Sequence, residues 1–305
     1  MRILFMGTPD FAVASLRRLV EDGHDVCGVF TQPDKPKNRG HKLTPTPVKE
    51  YAITKKLAVY QPASLRNEET LSLVRAMAPE LIVVAAYGKL LPEDILNVPP
   101  LGSINVHSSL LPKYRGAAPI NWAVLNGEKM TGVTIMYMAK DLDAGDIILQ
   151  KSTPIGETED AQALTVRLAM LGAEALSESV RSLTAGTACR IPQDHNQHTY
   201  APMLGKELSP VDWTRSAHEI NCQVRGLLPW PCASTDIIGG VDMKLYAVLE
   251  TGMSTSVASG VIVAAGKQGI DVACGDGKVL RVTELQAKGG KRMSAAAYLL
   301  GHPIQ

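Results

Sequence analysis

The sequence is short of several things, and each shortage narrows what the chain can be. Its five cysteines, Cys27, Cys189, Cys222, Cys232 and Cys274, are odd in number, scattered, and include no Cys-x-x-Cys. They are expected to be reduced thiols in a cytoplasmic protein. No apolar run approaches the ~20 residues that a membrane span needs. The first run, Arg2-Ile3-Leu4-Phe5-Met6, stops at Gly7-Thr8-Pro9-Asp10, too soon for a signal peptide. No membrane association is expected. That same turn is not Gly-x-Gly-x-x-Gly, so a dinucleotide-binding enzyme lacks its phosphate-binding loop. An excess of one charge is missing as well: 31 Lys and Arg against 30 Asp and Glu leave a formal charge of +1. A nucleic-acid partner would therefore have to be met by a local basic patch. No internal repeat is apparent, and nothing calls for an obligate protein partner.

What is present describes a chain of 305 residues, 45% hydrophobic, long enough for one large domain and a smaller one. Residues 3–6 read as a buried strand, 11–21 as a helix with Ala12, Leu16, Leu19 and Val20 on one stripe, and 25–31 as the next strand. This β-α-β order predicts a parallel sheet with right-handed crossovers. Helices are expected at 48–57, 67–77, 118–126 and 161–183, and strands at 59–61, 132–138 and 146–154. The continuous apolar run at 81–86 should be a central parallel strand. Residues 1–185 are read as a catalytic domain and 186–210, without sustained periodicity, as a surface linker. His195 and His198 lie in that linker, but no acid or cysteine cluster joins them, so no metal is expected. In 211–305 a helix at 216–225 precedes five short β-type runs separated by Gly and Asp. These suggest a small barrel, with the oligonucleotide-binding type the obvious candidate. Lys288, Lys291 and Arg292 gather after the last run, as a solvated face or as contacts for an RNA backbone.

The chemistry is expected around residues 102–116. A short apolar run breaks there into Ser108-Ser109-Leu110-Leu111-Pro112, which cannot continue a strand. Asn105 and His107 are two apart and would face one side of a strand while Ile104 and Val106 pack on the other. Residues 140–146 follow another apolar run and offer a carboxylate that a second strand could deliver beside the first. Asn, His and Asp together suit acyl or formyl transfer. The Asn donates to a developing oxyanion, the His does the same or moves a proton, and the Asp orients the imidazole. By spacing alone, such a pair at a strand end is more often a hydrogen-bonded turn than a catalytic pair. Residues 32–47 form a long connection carrying Lys35, Lys37, Arg39, His41 and Lys42 with Asp34 its only acid. It is either a solvated loop or a set of cations for phosphates.

The stretches Asn105-Val106-His107-Ser108-Ser109-Leu110-Leu111-Pro112, Tyr114-Arg115-Gly116-Ala117-Ala118-Pro119-Ile120 and Asp141-Leu142-Asp143-Ala144-Gly145-Asp146 resemble those of the formyltransferases that use 10-formyltetrahydrofolate. The basic loop Arg39-Gly40-His41-Lys42-Leu43-Thr44-Pro45, the opening Gly7-Thr8-Pro9-Asp10-Phe11 and the tail Gly289-Gly290-Lys291-Arg292-Met293-Ser294 extend the likeness, over nearly the whole chain, to the methionyl-tRNA formyltransferase family. The resemblance implies a Rossmann-like, mostly parallel α/β sheet followed by a smaller OB-like β-barrel that binds tRNA. It also implies that 10-formyltetrahydrofolate is the co-substrate and methionyl initiator tRNA the acceptor. By the same resemblance Asn105, His107 and Asp143 are catalytic. Ala86, Tyr87, Gly88 and Leu90 line a pterin pocket with Ser109, Leu110, Leu111 and Pro112, and the loop cations Lys35, Lys37, Arg39 and Lys42 meet the acceptor stem. A sugar nucleotide or other small amine is the alternative acceptor.

Overall fold

The computed structural model describes residues 1–37 and 42–304. In chain order its elements are β1 (Arg2–Gly7), α1 (Asp10–Glu21), β2 (Asp25–Phe30), β3 (Lys35–Lys37), β4 (Lys42–Thr44), α2 (Pro47–Thr54), β5 (Val59–Tyr60), α3 (Glu68–Met77), β6 (Leu81–Ala85), α4 (Glu93–Leu96), β7 (Ser103–His107), β8 (Arg115–Gly116), α5 (Pro119–Leu125), β9 (Met130–Tyr137), β10 (Ile147–Pro154), α6 (Ala161–Thr184), β11 (Tyr200–Ala201), α7 (Ala217–Gly226), β12 (Ala233–Thr235), β13 (Met243–Ser254), β14 (Ile262–Gly266), β15 (Gly269–Ala273), β16 (Lys278–Ala287), β17 (Met293–Ser294) and α8 (Ala295–Gly301). The chain divides into two compact units, one formed by residues 1–116, 131–153 and 165–200, the other by 117–130, 154–164 and 201–305.

The first unit is built on a seven-stranded sheet in the order β10-β9-β7-β6-β1-β2-β5. The ladders of β1 with β2 and β6, of β2 with β5 and of β6 with β7 are parallel. In β6 every residue is buried, as is every residue of β1 after Arg2, which is why both read as unbroken apolar runs rather than alternating ones. The helix α1 buries Phe11, Ala12, Leu16 and Leu19. The helix α3 buries Leu71, Val74 and Met77 and starts at Asn67, whose side chain accepts the Thr70 N–H and so satisfies a free amide of the first turn. Gly172 lets α6 come down on the sheet: a Cβ there would lie 2.9 Å from Val106 Cγ1.

Two features of this unit lie outside the sequence expectation. The strand β9 runs antiparallel to β7, pairing Ile104 with Tyr137 and His107 with Thr134. Within the 32–47 connection β3 pairs antiparallel with β4 as a hairpin ladder, Lys35 opposite Thr44 and Pro36 opposite Leu43. A two-stranded ribbon has only edge positions, so Pro36 breaks no ladder there. The hairpin's base is pinned by Asp34 to α2 and to the residue after β5: Asp34 takes the Lys49 ammonium at 2.6 Å and the Gln61 amide at 2.7 Å. These bonds, that from Lys49 first, hold the Asp34 carboxyl below its ordinary range. The anchor is therefore complete near neutrality and is lost only as pH falls through that lowered value.

The second unit carries an antiparallel sheet in the order β12-β13-β16-β15-β14, with β17 on β16. Its core includes Trp213, Ile220, Val224, Leu245, Ile270, Val282, Leu285 and Tyr298. The helix α7 begins with a reciprocal capping box between Ser216 and Glu219. The strands β13 and β16 are longer than the expected short runs, because register shifts after Leu245, Ala247 and Glu250 let one strand bend without ending. Among the described residues no helix is long and apolar enough to cross a membrane.

At Gly132 in β9 an added Cβ would lie 2.1 Å from the Lys151 carbonyl oxygen and 2.6 Å from Leu110 Cδ2. Gly132→Ala must push β9 and β10 apart and is expected to destabilise the protein by roughly 1–3 kcal/mol, read as a lower urea midpoint.

Candidate active site

The sheet's parallel strands end along one edge, the usual place for a ligand in an open α/β sheet. There Asn105 lies opposite Val84 of β6, and His107 extends two residues beyond it. Asn105 is the one half-exposed residue of β7. Its side-chain amide has no hydrogen-bond partner among the described residues, which leaves its donors free for a ligand. His107 is 5% exposed and Asp143 10%, and His107 Nδ1 stands 3.6 Å from Asp143 Oδ2. That is ion-pair distance rather than a hydrogen bond. The other ring nitrogen, Nε2, lies 2.9 Å from the Tyr114 carbonyl oxygen. A carbonyl only accepts, so Nε2 must carry a hydrogen, and any second proton sits on Nδ1, facing the carboxylate.

Asp143 does not arrive in the way its position after an apolar run suggested. Because β9 is antiparallel to β7, the chain leaves β9 at Tyr137, level with Ile104 and moving away from His107. Residues 138–146 then fold back. Asp143 takes the left-handed conformation, φ 50°, a cost of about 1–3 kcal/mol for a side chain other than glycine. Its Oδ2 accepts the Gly116 N–H at 2.9 Å. The loop closes where the Tyr137 N–H donates to the Asp146 carbonyl at 2.9 Å. A Cβ on Gly145 would lie 1.8 Å from the Tyr137 carbonyl oxygen, so only glycine fits this closure.

The other predicted residues divide by exposure. Ala86, Gly88 and Leu90 are exposed, Leu90 at 67%, and form the open rim after β6. Ala86 at φ 45° and Gly88 at φ 83° turn the chain there. Tyr87, Ser109 and Leu111 are buried, while Leu110 and Pro112 are half-buried. Burial pushes the Tyr87 hydroxyl up to about 12. Its carbonyl is held by the Thr8 hydroxyl and the Gln32 amide, each at 3.0 Å. Lys35 is exposed on β3. Arg39 lies outside the described residues, as do the side chains of Lys37 and Lys42. Lys288 and Lys291 are exposed, whereas Arg292 is engaged by Glu284 and lies 4.5 Å from the centre of the Tyr246 ring. Among the described residues no group of three His, Cys, Asp or Glu side chains could hold a metal.

Four residues that sequence reasoning passed over hold this site in shape. The buried Thr134 hydroxyl donates to the Ser109 carbonyl at 2.7 Å and accepts from the Leu111 N–H at 3.1 Å. Gln150 joins the same turn through the Leu111 carbonyl at 2.8 Å. Arg115, also buried, is held by the Gln193 amide oxygen, 2.7 Å from Nη2. Arg115 sits inside the recognised motif without a role assigned to it, and Gln193 follows Pro192 in a stretch with no periodicity to mark it.

Residues 1–180 match the family model described as formyl transferase, and residues 203–303 match that of the formyl transferase C-terminal domain. The chain belongs to the formyl transferase family. It is 49% identical, across 99% of its length and 95% of the relative, to the methionyl-tRNA formyltransferase of Trichlorobacter lovleyi. To that of Acetivibrio thermocellus it is 47% identical across 100% of its length and 97% of the relative. The motif resemblance is thus borne out along the whole chain. Among solved structures the fold is similar to WlaRD, a sugar 3N-formyl transferase crystallised with dTDP and 5-N-formyl-THF. That match has a TM-score of 0.70 and 18% identity, covering 92% of this chain and 97% of the other. It is also similar to HypX from Aquifex aeolicus in complex with tetrahydrofolic acid, with a TM-score of 0.65 and 19% identity, over 98% of this chain and 47% of that one. The Rossmann-like formyltransferase sheet followed by a smaller antiparallel domain is the fold expected from the motifs.

Thr134→Val removes both the bond to Ser109 and the acceptor for the buried Leu111 N–H. It should cost about 1–3 kcal/mol in chemical denaturation, and Thr134→Ser, which keeps the hydroxyl, should recover most of the loss.

Proposed function

We propose that this enzyme transfers the formyl group of 10-formyltetrahydrofolate to the α-amino group of methionyl initiator tRNA in the cytoplasm. The observation that carries the chemistry is the meeting of His107 and Asp143, from separate segments, 3.6 Å apart beside the unpartnered amide of Asn105. The full-length relatives named for this acceptor favour charged tRNA over a small amine.

When bound, the folate supplies an activated one-carbon unit. The exposed rim of Ala86, Gly88 and Leu90 offers it a surface open to a flat ring, and the turn of Ser109 and Leu111, fixed by Thr134, is assigned to the same pocket. Asn105 donates to the formyl oxygen as negative charge grows there, in a position that costs no protein hydrogen bond. His107 donates to the same oxygen once Nε2 exchanges the Tyr114 carbonyl for it. Asp143 keeps Nδ1 in place and, through water, relays the proton that the attacking amine loses to N10 of the folate, which takes it as its bond to the formyl carbon breaks. Lys35, Lys37, Arg39 and Lys42 of the 32–47 connection, with Lys288, Lys291 and Arg292 of the second unit, are assigned to the phosphates of the tRNA.

The deciding assay compares methionyl initiator tRNA, methionyl elongator tRNA and amino sugar nucleotides as acceptors. Turnover with the initiator tRNA alone is expected, and comparable turnover with a sugar nucleotide overturns the reading. Asn105→Ala should lower kcat by ~10²- to 10³-fold with an unchanged unfolding midpoint, because the amide holds nothing in the fold. Arg39→Ala should raise KM for charged tRNA while leaving folate binding intact, and added salt should weaken tRNA binding steeply.

A further inference from the structure

Gln193 uses both ends of its side-chain amide on groups that surround the candidate site. The side chain is 5% exposed. Its Nε2 donates to the carbonyls of Asp143 and Gly145, each at 2.8 Å. Its Oε1 accepts from Arg115 Nη2 at 2.7 Å and Nε at 3.2 Å. The orientation is fixed by chemistry: turned over, the amide would set oxygen against two carbonyls and nitrogen against a guanidinium.

What Gln193 grips is the backbone of the returning loop, at Asp143 itself and two residues beyond. Among the described residues the Gly116 N–H holds the Asp143 carboxylate, and the peptide after Asp143 is otherwise held by one long turn bond, from the Ala144 N–H to the Asp141 carbonyl at 3.4 Å. A residue held at φ 50° on a segment that must reverse away from β9 needs its backbone fastened if its carboxylate is to stay beside an imidazole. Gln193 does this from outside both segments. It is itself carried on a stretch tied down nearby, where Ile191 and Ile147 exchange backbone hydrogen bonds of 2.8 and 3.0 Å.

We propose that Gln193 is a positioning residue for catalysis, holding the Asp143 loop so that the carboxylate stays against His107. The proposal rests on the reading of His107 and Asp143 as the proton-handling pair. Gln193→Glu is the informative substitution, since it keeps an acceptor for Arg115 but removes both donors to the loop. Gln193→Met, which keeps the length and removes every polar contact, is the second variant should the first not fold. Formyl transfer from 10-formyltetrahydrofolate to methionyl initiator tRNA is measured with the full-length chain, alone and in an Asp143→Asn background, alongside the unfolding midpoint.

The expected result is a 10- to 100-fold fall in kcat with KM for both substrates within about twofold, and no more than a threefold further fall when Asp143 is already Asn. An equal fall in both backgrounds, or a lower unfolding midpoint with kcat per folded enzyme unchanged, overturns the proposal and leaves the assignment of Asp143 standing. Full turnover by Asp143→Asn alone overturns the assignment of Asp143 and, with it, the proposal.

Discussion

The strand β9 runs against β7, and that reversal is the constraint around which the first unit is arranged. In an all-parallel sheet, strand ends and the loops after them collect on one edge, and a carboxylate following a strand arrives beside its neighbours unaided. Here the strand before Asp143 ends at the opposite edge, so the loop must travel back and be fastened. The buried Gln193 amide does that fastening. Arg115 adds an electrostatic condition. A buried guanidinium attracts carboxylates strongly, and Asp143 is a near neighbour through Gly116. The neutral Gln193 amide and His195 Nδ1 take the guanidinium, and the Asp143 carboxylate faces the imidazole.

Much of this was legible from residue pattern alone. The parallel strands announced themselves as unbroken apolar runs, and α1 and α3 by apolar stripes ending at an acid or a capping residue. Asn105 and His107 could be placed on one strand because a two-residue spacing has only one meaning in extended backbone. The direction of β9 was not legible, since an apolar run of eight residues is the same read either way. Nor was the role of Gln193. Its hydrogen bonds reach across 48 and 50 residues to backbone carbonyls, and backbone acceptors leave no trace in the sequence of the residues that own them. The tail helix α8 escaped for a related reason: seven residues rich in alanine and leucine after a turn carry too little periodicity to be told from a buried strand.

The second unit shows how little of a charged surface follows from charge alone. Lys288, Lys291 and Arg292 are near neighbours in sequence and all exposed, yet Arg292 lies over the Tyr246 ring and is paired with Glu284. Equal formal charges thus differ in what they have to give up before meeting a phosphate. A lysine held only by water loses little, whereas an arginine already paired must exchange one partner for another.

The hairpin of β3 and β4 enters and leaves the first unit at adjacent points, because Lys35 and Thr44 face each other across its first rung. Opposed residues in an antiparallel pair have Cα atoms about 4.5–5.5 Å apart, a gap that a tight turn can bridge. The excursion between them is therefore topologically an appendix: it can be lengthened, trimmed or exchanged at its tip without altering the path of any sheet strand.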